Sequence, residues 1–158
     1  MYQSWRGPIV GFTVSHIWSS YATCLSLEFG PLTPGDWFTD RKGNVRQFEP
    51  KGVWSITSME SWPAWWLRQN GRVVGSWELS RPRRLHALRL LIGRRLNTFE
   101  VDQHSRSTRI TFSPGLQLET KTDLRRLRNM AHWLLRGPEY RNDDWSHVAL
   151  RPWGERRK

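Results

Sequence analysis

The chain has 158 residues and a formal charge of +11, which leaves room for one globular domain, or two very small ones sharing a core. Its 37% apolar and 25% charged residues exclude a disordered chain. Its longest apolar runs are only a few residues, far short of the ~18 that a membrane helix needs, so no membrane contact is expected. One cysteine, Cys24, forbids an internal disulfide and points to a reducing cytoplasm.

In chain order, the start MYQSWRGPIVGF lacks a basic region followed by an apolar stretch, so no secretory signal is read. IVGFTVSHIW (9–18) and TCLSLEFG (23–30) read as strands. In the second, Leu25, Leu27 and Phe29 alternate with Ser26 and Glu28. Residues 33–52, TPGDWFTDRKGNVRQFEPKG, are rich in Pro, Gly and charge and read as an irregular excursion carrying Trp37. WPAWWLRQNG (62–71) reads as a further strand, on which neighbouring side chains must point to opposite faces. RRLHALRLL (83–91) spaces Leu85, Leu88 and Leu91 for a short helix. LIGRRLNTFE (91–100) follows, and STRITFSPGLQLETKT (107–122) reads as a hairpin. DLRRLRNM (123–130) opens on a capping aspartate and reads as a second short helix. NMAHWLLRGP (129–138) closes the series, and RPWGERRK (151–158) reads as a disordered basic tail.

The segments recur. IVGFTVSHIW matches LIGRRLNTFE through a glycine followed by apolar residues at fixed spacing, and TCLSLEFG matches STRITFSPG through Phe and Gly. WPAWWLRQNG matches NMAHWLLRGP through Trp66-Leu67 and Trp133-Leu134. The expected fold is mainly β (β-rich α+β). Two similar antiparallel β units arise from an internal duplication and share one core. The first spans 1–80 with the insertion 33–52; the second, basic unit spans 81–150. On this pairing Trp66 and Trp133 face the core, with Trp62 where the strand enters. Trp65 points the other way, as an exposed partner anchor if that face is wet and as further core if it is covered.

Chemistry-bearing motifs are few. The histidines His16, His86, His104, His132 and His147 show no metal-ligand spacing. Cys24 reads as a small half-buried hydrophobe and Asp143-Asp144 as a solvated turn, while no nucleophile elbow or phosphate loop occurs. No catalytic residue, metal or cofactor is therefore assigned.

Arginine is the stronger signal. Residues 1–80 hold 7 Lys/Arg against 6 Asp/Glu, whereas residues 81–158 hold 18 against 8. Arg81, Arg83, Arg84, Arg89, Arg94 and Arg95 lie in a stretch without acid, and Arg125, Arg126 and Arg128 add a second cluster. Such asymmetry marks a face for an acidic partner or for phosphates. With Trp65, Trp37 and Trp145 as candidate anchors, these arginines form the expected contact set. No RNP-type signature or long recognition helix supports nucleic acid directly.

Three features together, the openings IVG (9–11) and LIG (91–93), the run Phe112, Gly115, Leu118 and the closing WWL (65–67) and HWLLRGPEY (132–140), resemble small bacterial immunity-type proteins of polymorphic toxin systems. That resemblance implies a non-enzymatic β-rich inhibitor that binds and neutralises a cognate toxin. The alternative is a nucleic-acid-binding protein using the same arginines on phosphates. A protein at +11 suits an acidic partner surface better than the basic cleft of a nuclease.

Overall fold

The computed structural model describes residues 1–5, 9–19, 24–58, 64–102, 104–105, 107–121, 133–137 and 148–150. Within them the first half forms β1 (Tyr2–Trp5), β2 (Val14–Ser19), β3 (Leu25–Phe29), β4 (Trp37–Thr39), β5 (Val45–Gln47), β6 (Trp54–Ser58), β7 (Ala64–Gln69) and β8 (Arg72–Ser76). Helix α1 (Arg81–Arg89) follows, and then β9 (Arg95–Asp102), β10 (Thr108–Ser113), β11 (Leu116–Lys121), β12 (Trp133–Arg136) and β13 (Val148–Leu150). The protein is mainly β with antiparallel pairing, as the period-two alternation predicts.

Six strands form one sheet in the order β1-β9-β10-β11-β7-β8, and five form another in the order β13-β12-β6-β3-β2. Each half completes the other's sheet. β7 and β8 leave the first half to flank β11, while β12 and β13 leave the second half to flank β6. Where β2 and β9 begin, the halves meet in reciprocal hydrogen bonds. The Gly11 N–H donates to the Leu96 carbonyl and the Gly93 N–H to the Val14 carbonyl, both at 2.8 Å. The Val14 N–H donates to the Arg94 carbonyl and the Leu96 N–H to the Phe12 carbonyl, both at 2.9 Å. Exchanging Gly11 with Gly93, Phe12 with Arg94 and Val14 with Leu96 maps this set onto itself. Both glycines have positive φ, 92° and 81°, which a side chain would resist. These two segments thus share a hydrogen-bonding pattern where they meet.

The core lies between the sheets. Leu67, Phe99, Ile110 and Leu118 on one side and Leu27, Phe29 and Ile56 on the other are fully buried in a single cluster. Phe99 and Trp133 meet edge to face across it, with ring centroids 5.8 Å apart. The Trp133 indole N–H donates to the Thr108 hydroxyl at 3.3 Å, and that hydroxyl also bonds Thr120. A buried tryptophan therefore keeps its polar atom satisfied.

Two expectations are corrected. Trp65, 1% exposed, is the inward residue of β7, and Trp66 is half-buried on the outer face. The pairing explains why: Trp65 sits opposite Thr120 as Trp133 sits opposite Ser58, so the counterpart of Trp133 is Trp65 and the repeat reads W-x-L. Second, residues 33–52 contain an ordered hairpin, β4–β5, closed at its base by reciprocal hydrogen bonds between Thr33 and Lys51 of 2.7 and 2.9 Å. Ser26 and Glu28 on the outer side of β3 are as buried as its core side, at 1% and 2% exposed. Helix α1 begins two residues earlier than its leucine spacing suggests, because Pro82 fits the first turn. The second predicted helix (123–130) and the tail (151–158) lie outside the described residues.

Candidate protein-binding surface

Helix α1 buries Ala87 and Leu88, and Leu91 follows them into the core; the rest of its surface is basic. Arg81, Arg83 and Arg89 are exposed, as is Arg95 at the start of β9, and none forms an ion pair among the described residues. Arg84 and Arg94 are half-buried and serve the fold. Arg84 donates to the Trp77 carbonyl at 3.2 Å, and Arg94 donates to the Leu90 carbonyl at 3.3 Å. Cations crowd the helix start, where no acid and no side-chain cap from Ser80 offsets the positive end of the dipole. Local stability disfavours that arrangement, by about 0.3–1 kcal/mol for each poorly placed charge.

Two neighbouring depressions, here called the trough, share Val74 on β8, and one of them borders this helix. One section, of about 360 Å³, is lined by Val74, Leu79, Pro82, Arg83, His86 and Ala87. A second section, of about 440 Å³, is lined by Gln69, Asn70, Arg72 and Val74, so the two share Val74. The sequence places these walls together for local reasons. Asn70 and Gly71 both have positive φ, 48° and 81°, and form the two-residue turn that reverses β7 into β8. The register of β7 against β8 then steps, pairing Leu67 with Gly75 and Arg68 with Val73, which leaves Val74 as the extra residue of a bulge. A Cβ on Gly75 would overlap the Ala87 methyl, so the helix seats directly on the strand backbone.

The β4–β5 hairpin is the other exposed aromatic feature. Trp37 is 68% exposed, and Val45 stands free of the core on the same hairpin, while Phe38 stacks on Phe48 at 4.2 Å. Asp40 organises the turn by accepting the backbone N–H groups of Lys42 (2.9 Å) and Asn44 (3.0 Å). These bonds, that from Asn44 first, hold its carboxyl below the usual aspartate range. Glu28 ties the hairpin to the sheet. Its carboxylate accepts the Gly52 N–H at 2.9 Å, the Trp18 indole N–H at 3.1 Å and the Ser26 hydroxyl at 3.4 Å. Burial outweighs these bonds and pushes the carboxyl above its ordinary value of 4.5. His16 and Glu49 add a contact of 2.8 Å beside it.

On the outer face of the larger sheet, Trp66 carries the Lys121 ammonium 5.6 Å from its ring centre, and Tyr2 carries the Arg109 guanidinium at 4.3 Å. Arg109 belongs to a ladder in which it and Arg68 approach Glu119, at 3.7 and 3.3 Å.

Of the candidate contact residues, the structure brings Arg83 to the trough. It leaves Arg81, Arg89 and Arg95 exposed elsewhere, sets Trp37 on a separate hairpin and removes Trp65 to the core. Arg125, Arg126, Arg128, Trp145, Trp62 and the Asp143-Asp144 pair lie outside the described residues. Sequence reasoning missed Arg72, Val74 and Leu79. The clue was Asn70-Gly71, whose tight turn sends the next residues back along the sheet, so that Val73 and Val74 sit at its end. Among the described residues no group of three His, Cys, Asp or Glu is placed to hold a metal ion, and no helix is long and apolar enough to cross a membrane. No protein-family model, curated protein or solved structure matches the chain.

Proposed function

We propose that the chain is a non-enzymatic binding protein of the immunity type, which neutralises a cognate bacterial toxin by engaging an acidic surface of it. One observation carries this reading: the exposed Arg83, without an ion pair among the described residues, borders an apolar depression at α1. A solvated basic face has no use for a neighbouring apolar channel. An interface combines the two, with charge steering the encounter and an apolar centre holding it.

The second reading, nucleic-acid binding, is favoured by arginine itself, whose planar fork matches phosphate in two-point contacts. The two readings separate on purified protein. Clean protein with a low A260/A280 that elutes early from heparin supports protein binding. Co-purified nucleic acid that is lost steeply between 50 and 200 mM salt assigns the arginines to phosphates. With clean protein in hand, a toxin domain found encoded beside its gene would be the probe for titration. An unchanged affinity for that domain in the Arg83→Glu and Arg89→Glu double variant contradicts the proposed contact.

A further inference from the structure

We infer that the trough along β8 receives an extended acidic segment of a partner protein, anchored by one aliphatic side chain. This deepens the protein-binding reading above and rests on it. Each of the two depressions carries an arginine, Arg72 by the turn in one and Arg83 on the helix in the other, and no acid is among the residues that line them. Between them lies an apolar stretch of Val74, Leu79, Pro82 and Ala87. Val74 is there because the bulge in β8 removes it from the ladder, and it remains 38% exposed. Such bulges commonly re-aim a side chain at a functional edge. Gly75 lets α1 seat directly on the strand backbone next to Val74.

Charge complementarity selects the occupant. The first turn of α1 carries Arg81, Arg83 and Arg84 with no acid and no side-chain cap. A carboxylate arriving there meets both the arginines and the positive helix end. The apolar walls select an aliphatic side chain at its centre; no Phe, Tyr or Trp lines the channel, and His86 is the one aromatic ring there that could stack a base.

The test uses the full chain labelled with ¹⁵N and a capped synthetic peptide of alternating Glu and Asp around a central Leu. Comparison peptides carry Ala for the Leu, or Lys for every acid, and a short oligothymidylate serves as a phosphate probe. Expected are amide shifts at Val74, Leu79, Arg83 and Ala87. The Ala peptide should bind about tenfold more weakly, and the Lys peptide should not bind. Val74→Asp and Arg83→Glu should each weaken the acidic peptide by about tenfold or more, while Arg46→Glu on the distant hairpin changes it by less than about twofold. Thermal melts of the variants confirm that they are folded. Equal affinity for the Leu and Ala peptides, shifts elsewhere, or indifference to both trough variants overturns the assignment. If the toxin domain still binds while the trough variants have no effect, the trough assignment alone falls. If oligothymidylate binds more tightly and displaces the peptide, the protein-binding reading falls with it.

Discussion

Glu28 accepts the backbone N–H of Gly52 at 2.9 Å, so a carboxylate on the interior strand β3 pins the return leg of the 33–52 excursion. Gly52 has to be glycine, since a Cβ there would overlap the backbone of Phe29. Glu28→Ala is expected to cost about 1–3 kcal/mol, because the Gly52 and Trp18 donors lose their acceptor in a dry setting. Urea unfolding measures it, and a loss below the measurement error would show that the tether carries no stability.

The same carboxyl predicts a pH dependence. Burial raises its folded value above the ordinary 4.5, so the folded state holds the proton more tightly than the unfolded one. Its contribution to stability is full below the unfolded value and is lost as pH rises through the folded value. Wild type minus Glu28→Gln, compared by urea unfolding at pH 4 and pH 7, should therefore move against wild type at the higher pH. A difference constant with pH contradicts this.

Three tryptophans on exposed, outer and inner positions should respond differently. Trp65→Ala, at a 1% exposed site, should cost about 3–5 kcal/mol by cavity formation. Trp66→Ala should cost far less, losing partial burial and a Lys121 contact of about 0.5–1 kcal/mol. Trp37→Ala should stay within about 0.5 kcal/mol. Thermal denaturation ranks them, and Trp66 outranking Trp65 would overturn the face assignment of β7.

Gly75 and Ala87 set the distance between α1 and β8. Gly75→Ala should destabilise by about 1–3 kcal/mol through overpacking. Ala87→Gly removes the methyl in the way, at a helix-propensity cost of about 1 kcal/mol. The double variant should then lose less than the two single losses added together. Strict additivity by chemical denaturation would mean that the two residues do not touch.

Asp40 predicts a local effect of opposite sign to Glu28. Its folded value lies below the unfolded one, so the stability it contributes is present above the unfolded value of 3.8 and is lost as pH falls through the folded value. Asp40→Ala should speed amide exchange at Val45 and Phe48, which pair within the hairpin or at its base, and leave Ile110 and Leu118 unchanged. Uniform exchange changes across the chain would contradict a local role.

Alternation in TCLSLEFG, STRITFSPG and LQLETKT specifies antiparallel β structure, because a strand with one buried face must repeat every second residue. The recurrence of a glycine before Val14 and Leu96, and of Phe29 and Phe112, also shows in the sequence, since equivalent backbone turns and core positions demand the same residue types. Adjacent tryptophans defeat the same logic: Trp65-Trp66 offers two indoles in either phase, and only pairing with Thr120 and Glu119 decides which one enters the core. Pro, Gly and charge in 33–52 look irregular because a short hairpin held by Asp40 and by a distant Glu28 buries too little of itself to show periodicity.

By itself, then, the sequence determined the β class and the basic second half. Those follow from local steric and hydrophobic patterning and from composition, which need no neighbour to be read. Only the tertiary structure decided the hairpin exchange between the sheets, the burial of Glu28 and the trough along β8. Each of these joins residues far apart in the chain, Glu28 to Gly52 and Gly75 to Ala87, through contacts that no single segment encodes.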